Sequence, residues 1–445
     1  MKTFRVLLAA VLSLSLLLPV TAQAAYQPNF QLRSQAAYME NLDTGQVMVE
    51  KDADRRLFPG YLAKVMTALV VLDHVQDLDA ETTALKLYIQ DMVYGSANLA
   101  DIYNGDQLSI RDLLYAMMLQ SANEATLMLA DYVGDGSIGH FVDLMNEKAA
   151  ALGCTDTHFT DPAGFYDPDT YTTARDMSKI AAAVMEYSAF AEVVAARTKT
   201  ITVVNRERAI NLNNYTNGLG KPGGDYYLAS SSGIMSSSLA ESGRCMVSQA
   251  SSGGYTYQVV VLGAPLTHDD GAATNPEYLH YAESKSLYLW AFDNFSVRTV
   301  VDKGEMIAEC RVRYSFAGDH VKVETGEKLT TLMENSLELS SVQYYPELPD
   351  YVAAPVEKGQ QVGVLRLVLA EEELGTVPLL ATESLSGSKF LTALGWLQNI
   401  IHSYWGKVLV VLVILLILGY GWLFVQANRK KKKSRRPRPR QDYHL

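Results

Sequence analysis

The sequence predicts an α+β domain with an antiparallel sheet and helices, then a small all-β domain and one C-terminal transmembrane helix. Three observations carry this. Strand-like segments at Ala36–Glu40 and Tyr257–Leu262 enclose a helical middle. After Phe295 the periodicity falls to two, with Cys310, Val312, Tyr314 and Phe316 alternating with Glu309, Arg311, Arg313 and Ser315. Val408–Val425 holds no charge, and its 18 residues would span roughly 27 Å as a helix, close to the thickness of a hydrocarbon core.

At the N-terminus, Lys2 and Arg5 precede the apolar run Val6–Val20, and Ala22-Gln23-Ala24 offers the small residues of a cleavage site. Residues 1–24 read as a signal peptide. The first domain follows over 25–294. Asn41-Leu42-Asp43-Thr44-Gly45 between Ala36–Glu40 and Gln46–Glu50 is a hairpin signal, and helical patterns cover Leu62–His74 and Ile110–Tyr132. Strands return at Arg244–Gln249 and Tyr257–Leu262, with Ser251–Gly254 as the turn.

The β-rich domain is assigned to 295–383 and closes on a hairpin, Val364–Leu369 and Thr376 onward. A linker and juxtamembrane stretch covers 384–405, the membrane helix 406–428, and a basic tail 429–445. Tyr404 and Trp405 stand where interfacial aromatics belong. The nine basic residues from Arg429 to Arg440 mark the cytoplasmic side. The chain is thus expected to be a single-pass protein of the cell membrane, with its large domain outside and its short tail in the cytoplasm.

Setting aside the two basic residues of the leader, and the nine basic residues and one acid of the tail, leaves 27 of 38 basic residues against 48 of 49 acidic ones, a net charge of −21. So acidic a surface argues against nucleic acid as a partner. Cys154, Cys245 and Cys310 are odd in number and far apart, which is no disulfide framework. Neither they nor the eight histidines show metal-ligand spacing, so no metal or other cofactor is expected.

Several segments occur in the order of one family: Glu50-Lys51-Asp52-Ala53-Asp54, Ala63-Lys64-Val65-Met66-Thr67-Ala68-Leu69, Ser121-Ala122-Asn123-Glu124, Phe159-Thr160-Asp161-Pro162-Ala163-Gly164-Phe165, Tyr171-Thr172-Thr173-Ala174-Arg175-Asp176 and Val261-Leu262-Gly263-Ala264-Pro265. The chain resembles the serine-type D-alanyl-D-alanine carboxypeptidases, low-molecular-mass penicillin-binding proteins, over roughly Ala36–Leu379. Val356-Glu357-Lys358-Gly359 also matches the family's C-terminal domain. The resemblance implies a penicillin-binding-protein/β-lactamase-like first domain. It also implies a peptidoglycan stem peptide, or another cell-wall component, as the partner.

Such enzymes form an acyl-enzyme with three motifs, Ser-x-x-Lys, Ser-x-Asn and Lys-Thr-Gly. The chemistry needs a hydroxyl beside an amine three residues on, a second hydroxyl to relay the proton, and a cationic strand edge for the substrate carboxylate. Here the resemblance places Tyr61 at the nucleophile position, and no serine occurs between Asp54 and Leu72. Lys64 remains, either as a base or as an ordinary partly buried lysine. Ser121-Ala122-Asn123 matches the second motif, although an asparagine at a helix start is also a common cap. The third motif is degraded: Ser231, Ser232 and Gly233 are the expected substrate-binding positions, and the run Ser236-Ser237-Ser238 leaves the register open. Ser386-Gly387-Ser388-Lys389, in the linker, is read as a chance match.

The leading expectation is an acylation-deficient binding or scaffold module facing the peptidoglycan. The alternative is an active carboxypeptidase that removes the terminal D-alanine of stem pentapeptides. A β-lactamase is disfavoured, because the secreted enzymes lack the β domain and the membrane helix.

Overall fold

A computed structural model describes residues 26–266, 278–369 and 371–433. The expected signal peptide and the far end of the basic tail lie outside the described residues. The chain divides into two compact units, up to Ser296 and from Val297 onward.

In the first unit, strands β1 (Ala36–Asn41), β2 (Gln46–Lys51), β3 (Ser231–Leu239), β4 (Gly243–Ser252) and β5 (Tyr255–Ala264) form one sheet in the order β2-β1-β5-β4-β3. Every pairing is antiparallel. The first strand therefore lies against the last, as the sequence order required. The β1–β2 turn closes because Asn41 Oδ1 accepts from the amides of Asp43 and Thr44, at 3.1 and 3.0 Å. Strand β3 is a sheet edge, and it is this edge that reaches the candidate site.

Helix α1 (Ala63–His74) is buried from Ala63 through Leu72 and runs through the core, with Lys64 and Thr67 as its buried polar residues. The pattern over Ile110–Tyr132 forms two helices, not one: α2 (Ile110–Gln120) and α3 (Asn123–Val133). Ser109 Oγ caps α2 through the Asp112 amide, and Ser121 ends it with a left-handed φ of 55°. The Ser-Ala-Asn tripeptide is the joint between two buried helices. Helix α4 (Leu279–Asn294) packs on β4 and β5.

The second unit contains the expected all-β domain. Its six-stranded sheet runs in the order Gln343–Glu347, Gln361–Leu369, Glu372–Ala381, His320–Thr325, Met306–Arg313, Val352–Ala353. The period-two alternation holds for the buried pair Cys310 and Val312 but stops at Arg313. Tyr314 turns to a φ of 67°, and Phe316 is exposed. All three cysteines are free and buried. Within the stretch read as a linker, Lys389–His402 is helical, with Ser388 Oγ accepting from the Leu391 amide. The last helix, Tyr404–Lys433, contains the apolar span Gly406–Gln426, 21 residues that are exposed from Lys407 onward. At 1.5 Å per residue it covers about 31 Å, enough to cross a bilayer.

Candidate active site

The site forms where the first turn of α1 meets the α2–α3 joint and the β3 edge. A short 3₁₀ turn, Gly60–Leu62, leads into α1 without a side-chain cap. Its amides need other acceptors, and one comes from the sheet: the Tyr61 N–H donates to Ser237 Oγ at 3.1 Å.

Lys64 is fully buried. Its ammonium donates to Asn123 Oδ1 at 2.9 Å and to the Ala163 carbonyl at 2.6 Å, and it lies 4.1 Å from the centre of the Tyr61 ring. Two hydrogen bonds and one cation–π contact thus surround the ammonium. Burial pulls its pKa down to about 7, against the raising pull of the Asp161 and Glu124 carboxylates. Asn123 is held in turn, its Nδ2 donating to Ser96 Oγ at 2.9 Å and its backbone amide to the Asn98 carbonyl at 2.9 Å.

The turn Asp161–Phe165 presents the Ala163 carbonyl. The Asp161 carboxylate accepts from the amides of Ala163 and Phe165 at 2.8 and 3.0 Å, and Thr67 Oγ1 donates to the Pro162 carbonyl at 2.7 Å. Gly164 sits at φ +81°, where a Cβ would lie 2.2 Å from the Gly60 carbonyl oxygen. Gly164→Ala is therefore expected to lower the stability of the first unit by about 2 kcal/mol or more, through left-handed strain plus a backbone clash. Thermal unfolding of the full chain checks it. An unchanged melting temperature would mean that the turn does not press on Gly60.

The Tyr61 hydroxyl is pushed above its usual pKa by burial and then by the charge of Glu241, so the phenol keeps its proton near neutral pH. Ser121 is buried, and its Oγ has no hydrogen-bond partner among the described residues.

The structure thus brings Tyr61, Lys64 and Asn123 into contact. It does not bring Ser231, Ser232 and Gly233 to them. Those residues open β3, four to six residues before Ser237, or roughly 13 to 20 Å along a strand. Gly233 packs on Asn217, and Ser231 and Ser232 border a separate cavity. The strand residue that meets Tyr61 is Ser237, from the serine run whose register the sequence left open. Counting back from the tight Leu239–Gly243 turn would have favoured it.

A family model described as D-alanyl-D-alanine carboxypeptidase matches residues 21–266. The chain belongs to the D-alanyl-D-alanine carboxypeptidase family. A second model, described as the penicillin-binding protein 5 C-terminal domain, matches residues 295–386, which brings the β-rich unit into the same architecture. The chain is 25% identical over 376 residues to the D-alanyl-D-alanine carboxypeptidase DacF of Bacillus subtilis, covering 81% of this chain and 88% of that one. It is 35% identical over 239 residues to the D-alanyl-D-alanine carboxypeptidase of a Streptomyces species, covering 51% of this chain and 79% of that one. Among solved structures, the carboxypeptidase DacD of Francisella tularensis aligns over 84% of this chain and 98% of its own with a TM-score of 0.59. At 21% identity, that likeness speaks for the fold. The carboxypeptidase family works on peptidoglycan peptides, and this member pairs the two-unit family fold with an apolar C-terminal helix suited to membrane anchoring.

Proposed function

We propose that this chain is a membrane-held member of the family that no longer acylates, with Tyr61 standing where the nucleophilic serine belongs, and that it serves as a peptidoglycan-facing binding or scaffold module. The single observation that carries the reading is the Tyr61 ring lying on the Lys64 ammonium. A base must reach a hydroxyl, yet the Lys64 nitrogen is hydrogen-bonded to Asn123 and Ala163 and faces the Tyr61 ring, and Lys64 has no exposed surface. The phenol that could replace the serine is bulkier and stays protonated. A misplacement of even 1 Å can cost about a hundredfold in rate.

The amide of residue 61 points the same way. An oxyanion forming beside α1 would need this N–H, and Ser237 Oγ already holds it. Of the three motif regions, Ser121-Ala122-Asn123 keeps its residues but serves as a helix joint and a brace for Lys64. The third offers serine hydroxyls with no cation. Labelling of the full-length chain by a fluorescent penicillin tests the reading: no covalent label is expected, and stoichiometric labelling would overturn it. An active carboxypeptidase is the second reading. It draws on the Lys64 pKa near 7, which suits a general base.

In this reading residues 1–24 are a signal peptide and 25–294 the carboxypeptidase-like domain. Residues 295–383 form the β-rich domain and 384–405 the juxtamembrane segment. Residues 406–428 cross the membrane, and the basic stretch 429–445 stays in the cytoplasm. Deleting residues 404–445 is expected to move the protein from the detergent-requiring membrane fraction to the soluble one. Retention in the membrane would place the anchor elsewhere.

A further inference from the structure

A second concave site lies in the first unit, away from Tyr61. A cavity of about 860 Å³ opens at the start of β3, a size suited to a small organic ligand. Of the five tyrosines in its wall, Tyr226, Tyr278 and Tyr281 cluster with ring centres 5.9 to 6.4 Å apart. Two of the rings are held through their hydroxyls. Tyr226 Oη accepts from the Tyr278 amide at 3.1 Å, and the Tyr281 and Ser236 hydroxyls bond at 2.9 Å. Tyr278 is half exposed, and Arg244 stacks 4.9 Å from its ring centre.

Two glycines, Gly218 in the lining and Gly233 next to it, leave no room for a side chain. A Cβ on Gly218 would lie 2.5 Å from the Tyr281 ring, and one on Gly233 would lie 2.1 Å from Asn217 Oδ1. The rim offers hydrogen-bonding groups in exposed Arg197 and Asn213, and the wall holds Ser231 Oγ, buried without a partner among the described residues.

We infer that this cavity binds a neutral N-acetylated amino-sugar segment, the chemistry of a glycan backbone, at a subsite distinct from the Tyr61 cleft. The inference rests on the proposed peptidoglycan-facing role. Pyranose rings present flat C–H faces that pack on tyrosine, and their hydroxyl and acetamide groups suit a polar rim. Prearranged rings bind at low entropic cost. Arg197, Lys221 and Asp225 are the charged residues of the lining, so both charge signs are present there, while the aromatic wall supplies the larger apolar contact.

The test uses the full-length chain in a detergent without a sugar headgroup, titrated with a β-1,4-linked trimer of N-acetylglucosamine. Saturable binding is expected, weakened about tenfold or more by Tyr278→Ala and retained in Tyr278→Trp, because the ring face and not the hydroxyl is used. Absence of saturable binding by the folded wild type would overturn the inference. So would unchanged affinity in both Tyr278→Ala and Tyr226→Ala. Penicillin labelling of the same samples separates the two readings. An adduct together with sugar binding sinks only the non-acylating role, whereas no adduct and no sugar binding sinks only this subsite.

Discussion

Replacing Tyr61 with serine and Ser237 with glycine together is expected to turn a protein that does not react with penicillin into one that forms a measurable adduct. The first change removes the ring from Lys64 and puts a hydroxyl three residues ahead of it on the same helical face. The second frees the amide of residue 61, now held by Ser237 Oγ, for a developing oxyanion. The nucleophile carries most of the effect. In subtilisin, losing the nucleophile alone costs on the order of 10⁶ in turnover. An oxyanion donor is worth about 10² to 10³, so Tyr61→Ser alone should label more slowly than the pair by a factor of that order. Equal labelling of the single and double variants would show that Ser237 does not block the amide. No labelling of either would show that the cleft fails for another reason.

The second large effect is on stability. Lys64→Ala leaves Asn123 Oδ1 and the Ala163 carbonyl without their donor and opens a cavity in α1, with an expected loss of about 3 to 5 kcal/mol. Lys64→Met fills the space but not the hydrogen bonds, so about half that loss is expected. Denaturant or thermal unfolding of the full chain measures both.

Lys64 also gives the first unit a distinct pH response. Its folded pKa, about 7, lies below the ordinary value of 10.5, so between these limits the unfolded chain binds the extra proton. Its contribution to stability therefore rises with pH across that window, by at most about 1.4 kcal/mol per unit for a single proton. Glu124 has the opposite shift. Burial raises its pKa from 4.5 to about 7, so the folded chain binds the extra proton and stability falls as pH rises from about 4.5 to 7. Comparing wild type with Lys64→Met isolates the alkaline window, in which the variant should lose the rise.

Much of the fold was legible because its signals are local. The strand-like runs Ala36–Glu40 and Tyr257–Leu262, the Asn41–Gly45 turn and the uncharged run before the basic tail each name an element without knowledge of the rest. The misjudged places are those that tertiary contacts decide. Ile110–Tyr132 reads as one helix because apolar periodicity runs through it, yet Ser121 takes a left-handed conformation and breaks it. The Cys310 alternation continues on paper to Phe316, but the chain turns at Tyr314 and leaves Phe316 in solvent.

At the site, Tyr61, Lys64 and Asn123 follow from motif spacing on α1 and at the α2–α3 joint. The β3 partner does not, because a run of near-identical serines carries no register signal. Only the pairing of Ser237 with Cys245, next to the Leu239–Gly243 turn, fixes it. Ser96 and Ala163 contribute through one hydroxyl and one carbonyl, and a sequence gives no hint of either role.

Whether Tyr61 has ended acylation is tested most directly by intact-protein mass spectrometry of the full-length wild type after prolonged exposure to excess penicillin. The expected result is a mass unchanged by any penicilloyl group, with Tyr61 and every serine unmodified. A stoichiometric adduct on Tyr61, or on any serine in contact with Lys64, would contradict it.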